Sequence, residues 1–239
     1  MTLCTNCQTH IDQNYCPNCG QAVQQKRIDR HYIQHEIEHV LHFEKGIFYT
    51  VRELLLRPGQ NVREFISGNR SRLVKPIIFI IVTSLVYTVI NHFFHVDDGY
   101  VSFSSDKATS TTAISDWVRS HYGYANIVMG IFIALWLKLF FSKSGYNFFE
   151  TLILLCFVMG MGMLLLSVFV VIEGTTKVAV MVWAGRIAVL YCVWAIGQFF
   201  DKSKVTSYLK SFAAYVLGML TFSGGILLLG YVVDVIGGM

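Results

Sequence analysis

The order of apolar and polar positions divides the chain in two. Up to Lys75, short apolar stretches alternate with charged and polar residues. From Pro76 onward, long apolar runs are separated by polar gaps. About 18 or more consecutive apolar residues predict a helix that crosses a membrane. Five stretches meet this pattern, some with a polar residue inside: 76–94, 122–141, 148–172, 178–200 and 212–236. The connections 142–147, 173–177 and 201–211 are short, so successive helices are expected to run antiparallel. The longer gap, 95–121, carries Asp97, Asp98, Asp106 and Asp116 and a Ser/Thr-rich stretch. Such a segment cannot bury a core, which predicts a loop over the surface with a short helix near 114–120.

Composition agrees with this pattern. Of 239 residues, 54% are hydrophobic and 14% charged, whereas a soluble domain carries about 25% charged residues. A soluble single-core enzyme is excluded as the default. The fold class is an all-α integral membrane protein of about five transmembrane helices, preceded by a small N-terminal metal module. No apolar leader precedes residue 76, so residues 1–20 do not read as a signal peptide. With the N-terminus in the cytosol, fifteen of the nineteen Lys and Arg residues fall on the inner side. Lys107, Arg119 and Lys177 fall outside, and Arg186 lies within the fourth span. The positive-inside rule then predicts the N-terminus inside and the C-terminus outside.

Cys4-x-x-Cys7 and Cys16-Pro-Asn-Cys19 form two C-x-x-C pairs separated by eight residues. Thiolates two residues apart on a tight turn can share one tetrahedral zinc ion. A cytosolic setting keeps thiols reduced, which favours metal over disulfides. Four thiolates close the coordination sphere, so zinc here is a structural cofactor with no open position for water. A module of about 22 residues depends on that metal to fold. Cys156 and Cys192 fall within spans and read as small core residues.

The segment 31–45 has the period of an amphipathic helix. At 100° per residue, His31, His35, His39 and His42 share an arc of about 80°, opposite Ile33, Ile37, Val40 and Leu41. His35-Glu36-Ile37-Glu38-His39 is a literal H-E-x-x-H string. In one reading, His35 and His39 bind a second metal, Glu36 is the catalytic base, and His42 or Glu64 completes the site. In the other, the histidines are the wet face of a helix lying on the bilayer.

Between Glu44 and Pro76 the spacing changes again. Residues 51–56 read as the end of a helix halted by Arg57-Pro58-Gly59, and 61–66 as a second short helix closed by Gly68. Six cations fall from Arg52 to Lys75, Arg57 among them, and Arg63, Arg70, Arg72 and Lys75 lie just inside the first span. Cations at that level attract anionic lipid headgroups by about 1 kcal/mol each, or serve only to set topology. Glu44, Lys45, Gly46 and Thr50, then Leu55, Arg57, Pro58 and Gly59, then Arg63, Glu64, Phe65, Ile66, Gly68 and Arg70, and finally Pro76 form a long spaced pattern. This pattern resembles the signature of a bacterial family of zinc-ribbon, multi-pass membrane proteins of unknown function. The resemblance covers about residues 1–95 and implies architecture, with no activity attached; the expected location is a bacterial inner membrane.

Polar groups inside the spans are the remaining candidates. Thr83, Ser84, Tyr87, Thr88, Asn91 and His95 share an arc of about 140° on the first span. Such a stripe is expected to pack against other helices or to line a wet path. Arg186 within the fourth span is costly in hydrocarbon and marks a functional position by default. Glu173 and Asp234, both near the outer face, are its expected partners, and Lys138 with Glu150 forms a similar pair near the inner face.

The chain therefore divides into a zinc ribbon (1–22), cytosolic amphipathic and basic juxtamembrane helices (23–74) and a five-helix membrane domain (75–239). The leading functional expectation is a non-enzymatic inner-membrane protein whose ribbon is a regulatory module or docks a protein or nucleic-acid partner. The alternatives are a transporter or channel using the polar first span and Arg186, and a metalloenzyme using His35, Glu36 and His39. Nucleic acid is a poor partner, because Asp12 is the ribbon's only formal charge through residue 22 and such binding needs clustered cations. Self-association of the spans is left open.

Overall fold

The computed structural model describes residues 2–3, 9–11, 14–15, 17–18, 46–68, 72–94 and 110–237. Two compact units emerge, divided between Phe43 and Glu44. In the first, Thr2–Leu3 (β1) pairs antiparallel with His10–Ile11 (β2), with Thr2 opposite Ile11 and Leu3 opposite His10. Leu3 and Tyr15 are exposed there.

The second unit is all-helical. Its helices are α1 (Gly46–Leu56), α2 (Pro58–Ser67), α3 (Pro76–Phe94), α4 (Ser110–Ser120), α5 (Tyr122–Phe140), α6 (Phe148–Thr176), α7 (Met181–Asp201) and α8 (Val205–Gly237). Among the described residues, α3, α6, α7 and α8 are long and apolar enough to cross a membrane, and Tyr124–Phe140 is a shorter apolar helix. The sequence expectation of five spans thus stands at four by length, with α5 one turn or less short. Rising about 1.5 Å per residue, the 33 residues of α8 reach about 50 Å, well beyond a hydrocarbon core of about 30 Å.

The surface of α3 shows what solvent the fold is built for. Ile77, Ile81, Leu85, Val89 and Phe93, spaced by four, are exposed, while Thr83, Ser84 and Tyr87 are buried. Apolar side chains outside and hydroxyls inside invert the pattern of a water-facing helix and suit a surface surrounded by lipid. The buried face of α3 lies along α6. A Cβ on Gly160 would come within 2.8 Å of the Phe79 ring and 3.0 Å of the Thr83 hydroxyl, so only glycine lets these helices approach so closely. Tyr87, Met163, Leu166, Val170, Ala184 and Ala188 then close a core among α3, α6 and α7.

The long helices alternate in direction. At one end, called proximal here, Phe141 stacks on Phe200 with ring centroids 3.8 Å apart, Tyr146 packs on Phe199, and Lys210 Nζ donates to the Phe140 carbonyl. At the distal end Val118, Ala125 and Ile226 cluster, joining α4 to α5 and α8. Asn147 starts α6 with a capping box, its side chain accepting from Glu150 N while Glu150 accepts from Asn147 N. That box satisfies two helix N–H groups at once.

Candidate functional site

The spaced signature that precedes the first span folds into a clamp. Helix α1 ends at Leu56 and α2 begins immediately with Pro58 at its first positions. Proline lacks the N–H that a first-turn residue cannot use, and its fixed φ suits helix entry. The Pro-Gly pair halts α1 at Leu56, as the sequence pattern expects, and also starts α2, three residues before that pattern placed it. Asn61 Nδ2 ties the two helices, donating to the carbonyls of Glu53 at 3.0 Å and Arg57 at 2.9 Å. Gly68 closes α2 with φ +139, a conformation that favours glycine.

Two sets of contacts fix this pair to its surroundings. Arg72 donates to Glu53 at 2.9 Å, to Glu64, and to the Tyr49 hydroxyl at 2.8 Å. The Tyr49 hydrogen bond and the two carboxylates hold the Arg72 guanidinium above its ordinary pKa. Thr50, fully buried, accepts from Val74 N at 3.1 Å and so fixes the entry to α3. The second set reaches α7. Arg63 Nη1 donates to the carbonyls of Gln198 and, at 2.8 Å, Phe199. These lie in the last turn of α7, where carbonyls lack helical partners and a cation meets the negative end of the helix dipole. Tyr191 Oη donates to the Leu54 carbonyl at 2.9 Å, capping α1 in turn. Gly59 lies so close to the α7 backbone that a Cβ there would overlap Gln198 and come within 2.5 Å of Phe199 N. Phe65 meets Phe157 of α6 edge-on at 5.4 Å.

Beside the clamp is a polar pocket of about 350 Å³ lined by Arg57, Gln60, Arg63, Gln198 and Lys202. Among the described residues no carboxylate lines it. Arg57 occupies the N-cap of α2 and makes no capping hydrogen bond with its side chain. A second proximal hollow, between α5, α7 and α8, includes Lys143, Lys204 and Lys210, with Asp201 paired to Lys204 at 2.9 Å.

The intramembrane candidates are arranged differently from expectation. Arg186 is exposed and lies over the Trp183 ring at 4.9 Å. Among the described residues it forms no ion pair with Glu173 or Asp234. Glu173 instead accepts from Val180 N at 2.7 Å and Met181 N at 2.8 Å at the start of α7. Asp234 accepts from Ser110 N at 3.0 Å at the start of α4. Each carboxylate thus meets the positive end of a helix, which competes with a distant arginine for its charge. Lys138 and Glu150 also go separate ways, Lys138 to the Tyr146 carbonyl at 2.6 Å and Glu150 to its capping box. In the first-span stripe, Thr83 donates to its own helix at Phe79 and Ile80, and Thr88 to Ser84.

Cys4, Cys7, Cys16 and Cys19, the histidine segment with His35, Glu36 and His39, and Arg70 and His95 lie outside the described residues. Among the described residues no group of three or more His, Cys, Asp or Glu side chains could hold a metal. Sequence reasoning missed the Arg63 link, which joins positions 135 and 136 residues apart. It also missed Gln60, Gln198 and Lys202 as pocket residues. The only signal for Lys202 was membership of the basic 202–210 connection.

A search of curated proteins and a search of solved structures found no match. Residues 44–88, which comprise the clamp and the first part of α3, match the model of a family described as protein of unknown function, DUF3667.

Proposed function

We propose that this chain is a non-catalytic, multi-pass protein of a bacterial inner membrane, whose zinc ribbon docks a protein partner on the cytosolic side. The observation that carries this reading is the clamp itself. Within the helical unit, α1 and α2 are joined to α7 by Arg63, Tyr191 and the close approach of Gly59, a contact made of backbone and structural side chains and no catalytic set.

Zinc is supported by the short β1–β2 pair, which brackets the first C-x-x-C of the sequence. Held by Cys4, Cys7, Cys16 and Cys19, the ion would supply folding stability and no chemistry. Exposed Leu3 and Tyr15 offer apolar contact area to a partner. Orientation follows from charge: Arg52, Arg57, Arg63, Arg72, Lys75, Lys138, Lys143, Lys202, Lys204 and Lys210 all belong to the proximal end, which the positive-inside rule assigns to the cytosol. Nineteen residues of α5 rise about 28 Å, so α5 completes five spans and the C-terminus is outside. Helix α1 exposes Phe48, Leu55 and Leu56 beside Arg52, as a helix lying at a lipid surface does.

The test is a photoreactive residue at Tyr15 of the full chain in intact cells, with zinc measured on the purified protein. One discrete adduct and one zinc per chain, both lost in Cys4→Ser/Cys7→Ser and both kept in His35→Ala/His39→Ala, are expected. An adduct pattern unchanged by loss of the cysteines, or a second metal lost with the histidines, would overturn the reading.

A further inference from the structure

We propose that the pocket between the start of α2 and the end of α7 binds a phosphate group. The pocket is built from described residues of the helical unit alone and is independent of the ribbon. Three cations line it, Arg57, Arg63 and Lys202, together with Gln60 and Gln198. Arg63 is held in place by its two carbonyl acceptors on α7, which leaves its other guanidinium N–H groups for a ligand. Gln60 Nε2 donates to Glu64 at 2.9 Å, and Glu64 is in turn paired with Arg72. The Glu64 carboxylate is thereby already paired. Asp201, next to Lys202 in the chain, is paired with Lys204.

Arg57 gives the site its direction. It stands at the N-cap of α2, where the helix dipole is positive and where Ser, Thr, Asp or Asn would satisfy free N–H groups. An arginine there is the wrong charge for the helix and the right charge for an anion drawn to the same end. Guanidinium groups hold phosphate oxygens through paired, charge-assisted hydrogen bonds, and an ammonium adds a point charge. A volume of about 350 Å³ admits a phosphate with a small alcohol attached. The pocket lies at the proximal end, beside the last turn of α7, and a phospholipid headgroup and a small soluble phosphate ester present the same chemistry to it.

The experiment uses the full chain in a neutral detergent. Native mass spectrometry measures retention of phosphatidylglycerol against a galactolipid that carries no phosphate. Calorimetry measures binding of glycerol 3-phosphate and inorganic phosphate. Arg57→Gln/Lys202→Gln removes two pocket charges, whereas Arg52→Gln/Lys143→Gln removes two charges from the same end outside the pocket. Gln198→Glu keeps every cation and adds a carboxylate. Selective phosphatidylglycerol retention that falls about tenfold or more in the pocket double variant and in Gln198→Glu, but not in the Arg52/Lys143 control, supports a lipid phosphate. Heat from the soluble phosphates, lost in the same two variants, supports the site with a soluble ligand. Equal retention of both lipids with no heat from either phosphate, equal loss in the control, or wild-type retention by Gln198→Glu would overturn the proposal.

Discussion

Replacing Arg63 with methionine should loosen the clamp without loosening the bundle. Methionine keeps much of the side chain's apolar length, so the change removes chiefly the charge and two hydrogen bonds, to the carbonyls of Gln198 and Phe199. A hydrogen bond to a charged group contributes about 1.5–3 kcal/mol, and a cation at a helix C-terminus up to about 2 kcal/mol in a partly buried setting. These two effects describe the same contact and cannot be added. Arg63 is half-buried, so water recovers part of what is lost, leaving a net cost of about 2 kcal/mol. At about 1.4 kcal/mol per factor of ten, local opening of α1 and α2 should rise about thirtyfold. Amide hydrogen exchange over residues 46–68, in protein held in a neutral detergent, reads that opening directly. Exchange within α6 should stay as it was. Arg63→Lys, which brings one ammonium where a planar fork stood, should fall between the two. Unchanged exchange over 46–68, or equal acceleration throughout α6, would refute the account of Arg63 as the joint between α2 and α7.

Thr50→Val should cost about 1–3 kcal/mol, because the buried Val74 N–H loses its acceptor; Thr50→Ser should restore most of it, and thermal unfolding by fluorescence in detergent separates the two. Arg186→Gln should lower stability by no more than about 1 kcal/mol, the value of a cation over an aromatic ring, here Trp183. A larger loss, or loss of a cellular phenotype at intact stability, would show that Arg186 contacts more than Trp183. Single cysteines placed at Lys143 and Lys177 should react with a membrane-impermeant maleimide from opposite sides of the membrane, Lys177→Cys from outside. Labelling of both from one side would contradict the odd number of crossings between them.

The spans were legible because apolar period and length act locally. Pro76 marks the start of α3 to the residue, since proline at a first helical turn is both a sequence signal and a geometric one. Helix α8 was placed seven residues late, because Val205–Ser211 is too polar to read as membrane. There Ser207 and Ser211 are buried and Ser211 donates to the Ser207 carbonyl, so tertiary packing extends a helix that composition would have left as a loop. The Pro58-Gly59 pair shows the same limit in sharper form. Proline followed by glycine ends one helix and begins another here, and the close approach of Gly59 to the α7 backbone is a contact that no local pattern announces. The clamp's partners on α7 are more than 130 residues away, beyond any periodicity in one sequence. The expected ion pairs failed for a different reason: charge matching along the membrane normal does not account for helix N-termini, and both Glu173 and Asp234 are held there.

Seven of the fifteen residues of the spaced signature have a structural role in the clamp. Thr50 holds the entry to α3, Pro58 starts α2, Gly59 permits contact with α7, Arg63 joins that helix, Glu64 binds Arg72, Phe65 packs on Phe157 and Gly68 ends α2. Arg57 is different. Its side chain is exposed and makes no cap, and its charge opposes the dipole of the helix it begins. Were it only part of the clamp, replacing it would weaken α2. If it is there to meet an anion, Arg57→Ser should strengthen α2, by about 0.5–1 kcal/mol through a better N-cap and relief of the misplaced charge. The same substitution should weaken phosphate binding at the pocket. Exchange over residues 58–67 and ligand retention would then move in opposite directions in a single variant, slower opening with less ligand. A variant that opens faster would assign Arg57 to the clamp with its neighbours and leave the pocket without its reason for an arginine at that position.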